Sequence, residues 1–199
     1  AQISGKAGAS ITYTKLNDTA ENLVAADASI LSGKSVTIDE SGGASTYAST
    51  SQLNTIQADS GETVTYTKLT DTAALLVTNK ADIIAGVAAT VVETGAASTF
   101  ATAANIVALN AQISGKAGAS ITYTKLNDTA ANLVAADASI LSGKTVTIDE
   151  SGGAADYAST SELNTIQANS GETVTYTQLT DTAALLVTNK ADIVAGVTA

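Results

Sequence analysis

Several residue types that carry most protein chemistry are missing from this chain of 199 residues. It has no cysteine, histidine, methionine, tryptophan, proline or arginine. Without cysteine there is neither a disulfide framework nor a thiolate metal site. Without histidine and cysteine, catalysis would depend on Ser, Thr, Tyr, Lys, Asp and Glu, which are distributed along the repeats and not gathered at one point. We therefore expect a protein that is not an enzyme and that needs no cofactor.

Positive charge is also scarce. Nine lysines stand against nineteen Asp and Glu residues, so the formal net charge is −10. This negative excess repels phosphate groups, which argues against nucleic acid or an anionic membrane as a partner. No apolar run approaches the roughly 18–20 residues that a membrane span needs. We expect neither nucleic-acid binding nor membrane insertion.

Repetition is what the chain has in abundance. The segment ITYTKLNDTA at 11–20 returns as VTYTKLTDTA at 64–73, unchanged at 121–130, and as VTYTQLTDTA at 174–183. Residues 1–89 and 111–199 align at an offset of 110 and differ at nine positions: 21, 35, 45, 46, 52, 59, 68, 84 and 88. A shorter duplication with an offset of 53 lies inside each long repeat. The lack of an initiator methionine and a start inside a repeat suggest a piece of a longer chain.

We divide residues 1–199 into a single repeat array of strand–helix units. The units are 1–8 (partial), 9–34, 35–62, 63–87, 88–118, 119–144, 145–172 and 173–199. β-branched and aromatic residues alternate with hydroxyl residues in each predicted strand. The seven predicted strands centre on 11–13, 36–38, 64–66, 89–91, 121–123, 146–148 and 174–176. Between strands, apolar residues such as Ala20, Leu23 and Val24 follow the i, i+3, i+4 spacing of an amphipathic helix.

These units predict an α/β protein with an open architecture. Parallel strands joined by crossover helices are almost always right-handed connections. Pairing in chain order then gives an open right-handed β/α solenoid, with one parallel sheet of about seven strands and all helices on one face. We expect Tyr13, Tyr66, Tyr123 and Tyr176 to be mostly buried under the helices, and Leu16 to turn back under the core. A doubly wound domain is the rival fold, but the repeats give no sign of reversed strand order.

The opposite sheet face is rich in hydroxyl groups and is the candidate interaction face. Threonines about 6.7 Å apart along a strand and 4.8 Å apart across strands would form a lattice matching ice or a regular polysaccharide surface. Threonine also simply suits an exposed strand, and Asp39, Val92 and Asp149 interrupt the lattice. The candidate residues are Thr12, Thr14, Thr37, Thr65, Thr67, Thr90, Thr122, Thr124, Thr147, Thr175 and Thr177.

Three other motifs have structural explanations that we favour. The turns 40–44 and 150–154 are glycine-rich, but they lack the lysine and spacing of a phosphate-binding loop. The pairs Asp39-Glu40 and Asp149-Glu150 offer oxygen ligands for Ca²⁺ without the spacing of a known calcium loop, so we expect a solvated acidic edge. Two N-x-T sequons, at Asn17 and Asn127, also read as helix caps. We expect no bound metal.

The repeated segment LxDTAxxLV and the 110-residue tandem resemble repeat arrays of very large secreted bacterial surface proteins, of the adhesin-like or surface-layer-like kind. The resemblance covers the whole chain, and no functional residue can be carried over from it. It implies a non-enzymatic structural repeat module, an extracellular or cell-surface spacer, stalk or filament-forming segment. The alternative is a binding module that uses the Ser/Thr-rich open sheet face.

We also expect end-to-end self-association. The strand edges at 10–15 and 173–178 show no divergent capping sequence, and an open edge is a template for another chain. A head-to-tail contact of this kind builds filaments instead of closed rings. The net charge of −10 opposes such contacts most strongly at low salt.

Overall fold

A computed structural model describes residues 11–199, so the predicted partial unit at residues 1–8 lies outside it. The described residues form two compact units, one ending at Leu69 and the other spanning Thr70–Ala199. The strands are β1 (Lys15–Asp18), β2 (Ser35–Ile38), β3 (Val64–Thr65), β4 (Lys68–Asp71), β5 (Ala88–Val91), β6 (Ser120–Thr122), β7 (Lys125–Asp128), β8 (Thr145–Ile148) and β9 (Val174–Thr175). The helices are α1 (Ala20–Ala25), α2 (Ala28–Leu31), α3 (Thr50–Ser60), α4 (Ala73–Thr78), α5 (Ala103–Ile113), α6 (Ala130–Ala135), α7 (Ala138–Leu141), α8 (Thr160–Ser170) and α9 (Ala183–Thr188).

The strands form three parallel three-stranded sheets, in the orders β1-β2-β3, β4-β5-β6 and β7-β8-β9. The α/β class and the pairing of strands in chain order within each sheet agree with the sequence analysis. The predicted single sheet of about seven strands is wrong. The reason is visible at residues 120–128. There β6 pairs with the preceding strand β5, whereas β7, which begins after two intervening residues, pairs with the following strand β8. One extended segment thus serves two sheets.

The first predicted strand is displaced for the same reason. The sequence places it around Thr12, but residues 11–14 are not in a strand and β1 begins at Lys15. Lys15 pairs with Ser35 and Asp18 with Ile38, so β1 pairs with the strand that follows it in the chain, as β7 does. Its counterpart β7 makes the equivalent pairs with β8.

Side-chain burial follows the break in each segment. The central strands behave as predicted, with Val36, Ile38, Val146 and Ile148 all buried. Leu16, which was predicted to turn back under the core, is half-buried, whereas its counterparts Leu69 and Leu126 are fully buried. Both the tyrosine and the leucine three residues later can face the core because the chain turns between them.

The tyrosines are less buried than predicted. Only Tyr66 reaches the core, at 9% exposure, whereas Tyr13, Tyr123 and Tyr176 are half-buried. The Tyr123 hydroxyl donates to the Ile140 carbonyl at 2.9 Å, and the Lys144 ammonium lies 4.7 Å from the centre of its ring. A tyrosine fits this partly wet position because its ring packs while its hydroxyl reaches a polar partner.

The helices begin at side-chain caps. Thr19 and Thr129 accept hydrogen bonds from the N–H groups of Asn22 and Asn132, so the predicted capping region is correct. The helix predicted from the apolar spacing at Ala20 and Leu23 ends at Ala25, because Asp27 starts a new helix by accepting the Ser29 N–H. The longer helices α3, α5 and α8 start from reciprocal capping boxes, which the sequence analysis did not identify.

The cores of both compact units are built around long helices. In the first unit α3 packs on α1 and α2, with Leu53 and Ile56 fully buried. In the second unit α5 contacts α4 on one side and α6, α7 and β7 on the other. Its buried side chains include Ile106 and Leu109. Within residues 11–199, no helix combines the length and apolar character that crossing a bilayer requires.

The burial pattern predicts unequal effects for two substitutions in neighbouring strands. Leu126→Ala should lower the free energy of unfolding by about 2–5 kcal/mol, since it leaves a cavity at a fully buried site. Thr122→Ala, at an exposed site, should change it by about 0.5 kcal/mol or less. Urea denaturation followed by circular dichroism measures both. Equal losses from the two variants would contradict the assignment of faces.

Candidate functional site

The most regular polar arrangement is a carboxylate bound to the backbone where two sheets meet. Glu93 lies two residues after β5 and accepts hydrogen bonds from the N–H groups of Thr124 at 2.5 Å and Lys125 at 2.8 Å, and from the Thr124 hydroxyl. Thr124 and Lys125 lie at the turn from β6 into β7. We call this arrangement the glutamate clamp.

The clamp occurs three times with nearly the same geometry. Glu40 accepts the Thr67 and Lys68 N–H groups, both at 2.8 Å, and the Thr67 hydroxyl at 2.5 Å. Glu150 accepts the Thr177 N–H at 2.8 Å, the Gln178 N–H at 2.9 Å and the Thr177 hydroxyl at 2.5 Å. The position after threonine is lysine or glutamine, because only its backbone N–H is used.

The clamp replaces the hydrogen-bond acceptors that backbone N–H groups lose at the break in the sheet. An N–H group that leaves a strand ladder needs another acceptor, and a carboxylate forms stronger hydrogen bonds than a neutral carbonyl. In the second unit the break is also bridged by Ala101, whose carbonyl accepts the Asn127 N–H at 3.0 Å. The residues at the break are thus held from two sides.

The predicted interaction face is brought together only in part. Strand pairing places Thr37 opposite Thr65, Thr90 opposite Thr122 and Thr147 opposite Thr175, which are three in-register pairs. These pairs belong to three different sheets, so they are not rows of one lattice.

The remaining candidate threonines lie elsewhere. Thr12 and Thr14 lie outside the strands, before β1. Thr67, Thr124 and Thr177 use their hydroxyl hydrogens in the glutamate clamps. The alternation of these threonines is visible in the sequence, but their carboxylate partners are not, because those lie 27 or 31 residues earlier in the chain.

A second carboxylate device, missed at the sequence level, joins two helix starts. The buried Asp128 accepts the Thr129 N–H at 2.9 Å and the Asn132 amide at 2.7 Å with Oδ1. Its Oδ2 accepts the Ala103 N–H at 3.0 Å, at the first residue of α5. One side chain therefore links the end of β7 to the N-terminus of α5, 25 residues earlier. The signal for it was the Asp in every LxDT segment.

The equivalent aspartate in the last segment has the same role. Asp181 accepts the Thr160 hydroxyl at 2.8 Å and the Thr182 N–H at 2.8 Å. The Thr160 hydroxyl, followed by the Thr182 N–H, lowers the pKa of Asp181 below its ordinary value of 3.8. Because the folded-state pKa is depressed, the resulting stabilisation is present above pH 3.8 and is lost as the pH falls below it.

The acidic turns that resembled calcium or phosphate sites are occupied by local hydrogen bonds. Asp39 accepts the Ser41 N–H at 2.9 Å, and Asp149 accepts the Ser151 N–H at 3.0 Å. Hydrogen bonds from the Ser41 side chain and then its N–H lower the pKa of Asp39. The adjacent Glu40 and Glu150 belong to clamps. Within residues 11–199, no three carboxylates gather as a metal site would require.

Two open grooves on the helix side contain only neutral side chains. A groove of about 500 Å³ between α8 and α9 is lined by residues that include Thr160, Asn164 and Asn189. Another, of about 440 Å³ between α5 and α6, is lined by alanines with Val107 and Asn132. These linings offer packing surface and amide groups, without a carboxylate or an amine to transfer protons.

Removal of a clamp should destabilise the fold although the clamp lies near the surface. Glu93→Ala leaves the Thr124 and Lys125 N–H groups without their carboxylate, so the free energy of unfolding should fall by about 1–2 kcal/mol. The matched control is Glu172→Ala, since the Glu172 side chain is exposed and its loss should cost about 0.5 kcal/mol or less. Urea denaturation measures both variants. Equal small effects would show that the clamp contributes little.

Comparison with known proteins was made with protein-family models, curated proteins and solved structures, and none of the three gave a match. The recurring polar features of the described residues are the three glutamate clamps, the in-register threonines, and Asp128 and Asp181, which cap helix starts and which we call the aspartate caps.

Proposed function

We propose that this chain is a non-enzymatic structural repeat module, a spacer, stalk or filament-forming segment of a larger protein at the cell surface. The observation that carries this proposal is the threefold recurrence of the glutamate clamp with the same donors and nearly the same distances. Repeated identical joints are what a spacer requires, because each added unit must continue in the same direction. The extracellular location rests on the resemblance to secreted repeat arrays.

The use of charged side chains supports the same role. The carboxylates of Glu93 and Asp128 accept hydrogen bonds from backbone N–H groups of neighbouring segments. In an enzyme, such groups would be expected to converge on a substrate cavity. In this chain each of these carboxylates belongs to one strand–helix unit and binds a backbone N–H group of the adjacent unit, so it links consecutive units of the array.

We further propose that the array continues as an open right-handed β/α solenoid whose parallel sheet is interrupted at every clamp. The support is the 110-residue period of the sequence, together with the connection between sheets inside the second unit, where β6 passes directly into β7. In a solenoid each unit contacts mainly its neighbours, so length increases steadily with the number of units.

Small-angle X-ray scattering of lengthened chains tests this proposal. The 199-residue chain would be compared with versions of 309 and 419 residues, made by adding one and two further 110-residue repeats. We expect the maximum dimension to increase by equal steps. A compact protein would show a radius of gyration only about 1.3-fold larger at 419 residues than at 199. That weaker, compact scaling would contradict the proposal.

The in-register threonine pairs favour a second candidate function, a binding module for ice or a regular polysaccharide surface. Thr37 and Thr65 are both exposed and lie opposite one another, as do Thr147 and Thr175, of which Thr147 is half-buried. Pairs only two strands wide make a smaller template than the lattice expected from the sequence. Thermal hysteresis or retention on insoluble glycan would favour this function over the spacer.

End-to-end self-association of whole chains stays a prediction, and one of its premises is weaker than expected. The segment 173–178 was predicted to present unpaired backbone groups. In the structure the Thr177 carbonyl accepts the Thr198 N–H, and the Thr177 and Gln178 N–H groups bind Glu150. This part of the edge is therefore occupied.

A further inference from the structure

A pocket of about 430 Å³ lies in the first unit, between α1 and the 3-10 turn Ala44–Thr46. Its lining combines one half-buried aromatic ring, that of Tyr47, with hydroxyl, carboxamide and carboxylate groups. We call it the Tyr47 pocket. The volume falls within the range of roughly 300–1,000 Å³ that is usual for small-molecule sites in proteins. The other lining residues are Thr19, Ala20, Glu21, Ser45, Thr46 and Gln52.

A second pocket of the same kind lies 53 residues later along the chain, within the second unit. It has a volume of about 340 Å³, and we call it the Phe100 pocket. At the position of Glu21 it has Ala74, so it lacks the carboxylate. An aromatic ring next to hydroxyl and carboxamide groups is therefore a recurring lining. The residues equivalent to Thr19, Ser45, Thr46, Tyr47 and Gln52 are Thr72, Ser98, Thr99, Phe100 and Asn105.

The differences between the two long repeats are concentrated at the Tyr47 pocket. Residues 1–89 and 111–199 differ at nine positions, of which four line this pocket. Nine differences spread evenly over the aligned positions would place fewer than one among the seven lining residues. Exposure does not explain the concentration, because the exposed Ser29 and Thr55 are unchanged in the other repeat. The four changes convert Glu21, Ser45, Thr46 and Gln52 into Ala131, Ala155, Asp156 and Glu162.

The frame around these variable positions is retained. The aromatic residue is tyrosine in both long repeats. Gln52 Oε1 accepts the Ser49 N–H at 2.9 Å, and Glu162 accepts the Ser159 N–H at 2.8 Å, so the start of the long helix is the same. What changes is the chemistry offered to a ligand, because a carboxamide also donates hydrogen bonds whereas a carboxylate only accepts them. A varied lining on an unchanged frame is what sites with different ligand preferences require.

We propose that the Tyr47 and Phe100 pockets bind saccharides, and that positions 21, 45, 46 and 52 and their equivalents determine which saccharide each repeat prefers. A sugar ring presents C–H groups on its faces and hydroxyl groups around its edge. The negative face of an aromatic ring attracts the C–H groups, while hydroxyl and carboxamide side chains pair with the sugar hydroxyls. The Glu21 carboxylate adds attraction for a protonated amino sugar. The net charge of −10 disfavours an acidic sugar.

The test is an NMR titration of the 199-residue chain with three tetrasaccharides, made of N-acetylglucosamine, glucosamine or galacturonic acid. They are neutral, basic and acidic, respectively. Phe100 is the one phenylalanine of the chain, so its ring signals report on the second pocket alone, and those of Tyr47 report on the first. We expect saturable shifts of both rings with the neutral tetramer and tighter binding of the basic tetramer at Tyr47. The acidic tetramer should shift neither ring.

The chain itself supplies substitutions that the fold accommodates. Glu21→Ala introduces the residue found at position 131. It should weaken binding of the basic tetramer at the Tyr47 pocket by about threefold, the effect of an exposed ion pair, and leave the neutral tetramer unaffected. The matched control is Asp59→Asn, a second exchange between the long repeats, which removes the same charge near the other end of α3 and should change neither affinity.

Two further variants test the aromatic ring. Tyr47→Phe should retain binding of the neutral tetramer, because the Phe100 pocket has this ring, whereas Tyr47→Ala should weaken it at least about tenfold. Thr37→Ala, in an in-register threonine pair, should leave it unchanged.

Three results would overturn the inference. They are unshifted rings at millimolar concentrations of all three tetramers, equal effects of Glu21→Ala and Asp59→Asn, and binding that Thr37→Ala abolishes but Tyr47→Ala does not. The last result would place the saccharide on the threonine face. The inference goes beyond the spacer role and does not rest on it, since lengthened chains that extend by equal steps would support that role whether or not the pockets bind.

Discussion

The architecture depends on one hydrogen-bonded group, the carboxylate that receives the backbone where an extended segment turns. Glu93 binds the N–H groups of Thr124 and Lys125, and this allows β6 to pair backwards while β7 pairs forwards. Without such an acceptor, turning the segment out of one ladder would leave the Thr124 and Lys125 N–H groups without a protein partner, at a net cost of about 1–2 kcal/mol. The clamp supplies this acceptor, so the sheet can be interrupted at each repeat without loss of these hydrogen bonds.

The aspartate caps supply the matching constraint on the helix layer. Asp128 holds the N-terminus of α5 and the start of α6 at the end of the same strand. Helix N-termini attract negative charge through their free N–H groups and their dipoles, so one buried carboxylate can serve two of them. The glutamate clamps and the aspartate caps thus give a structural task to Glu40, Glu93, Glu150, Asp128 and Asp181, and they direct our proposal towards a structural role.

Local pattern was sufficient to predict the elements, and it failed where a distant partner decides the geometry. The alternation in residues 121–123 and the apolar spacing of residues 130–134 predicted a strand and a helix, and the forced inward turn of Leu126 was foreseen at its counterpart Leu16. The division of the sheet was not predicted, because it depends on Glu93, which lies 31 residues before Thr124. For the same reason Thr124 was assigned to an open face, although its hydroxyl is engaged. The helix break at Asp27 escaped notice because an aspartate inside an apolar pattern reads equally well as a solvent-facing helical residue.

The spacer role and the interrupted sheet both assume that Glu93 replaces the strand partners of Thr124 and Lys125. The most direct measurement is NMR detection of couplings across hydrogen bonds in the ¹⁵N,¹³C-labelled chain. The account predicts correlations from the Thr124 and Lys125 amide nitrogens to the side-chain carboxyl carbon of Glu93. Correlations from both amides to backbone carbonyl carbons of a neighbouring strand would mean an uninterrupted ladder, and would contradict it.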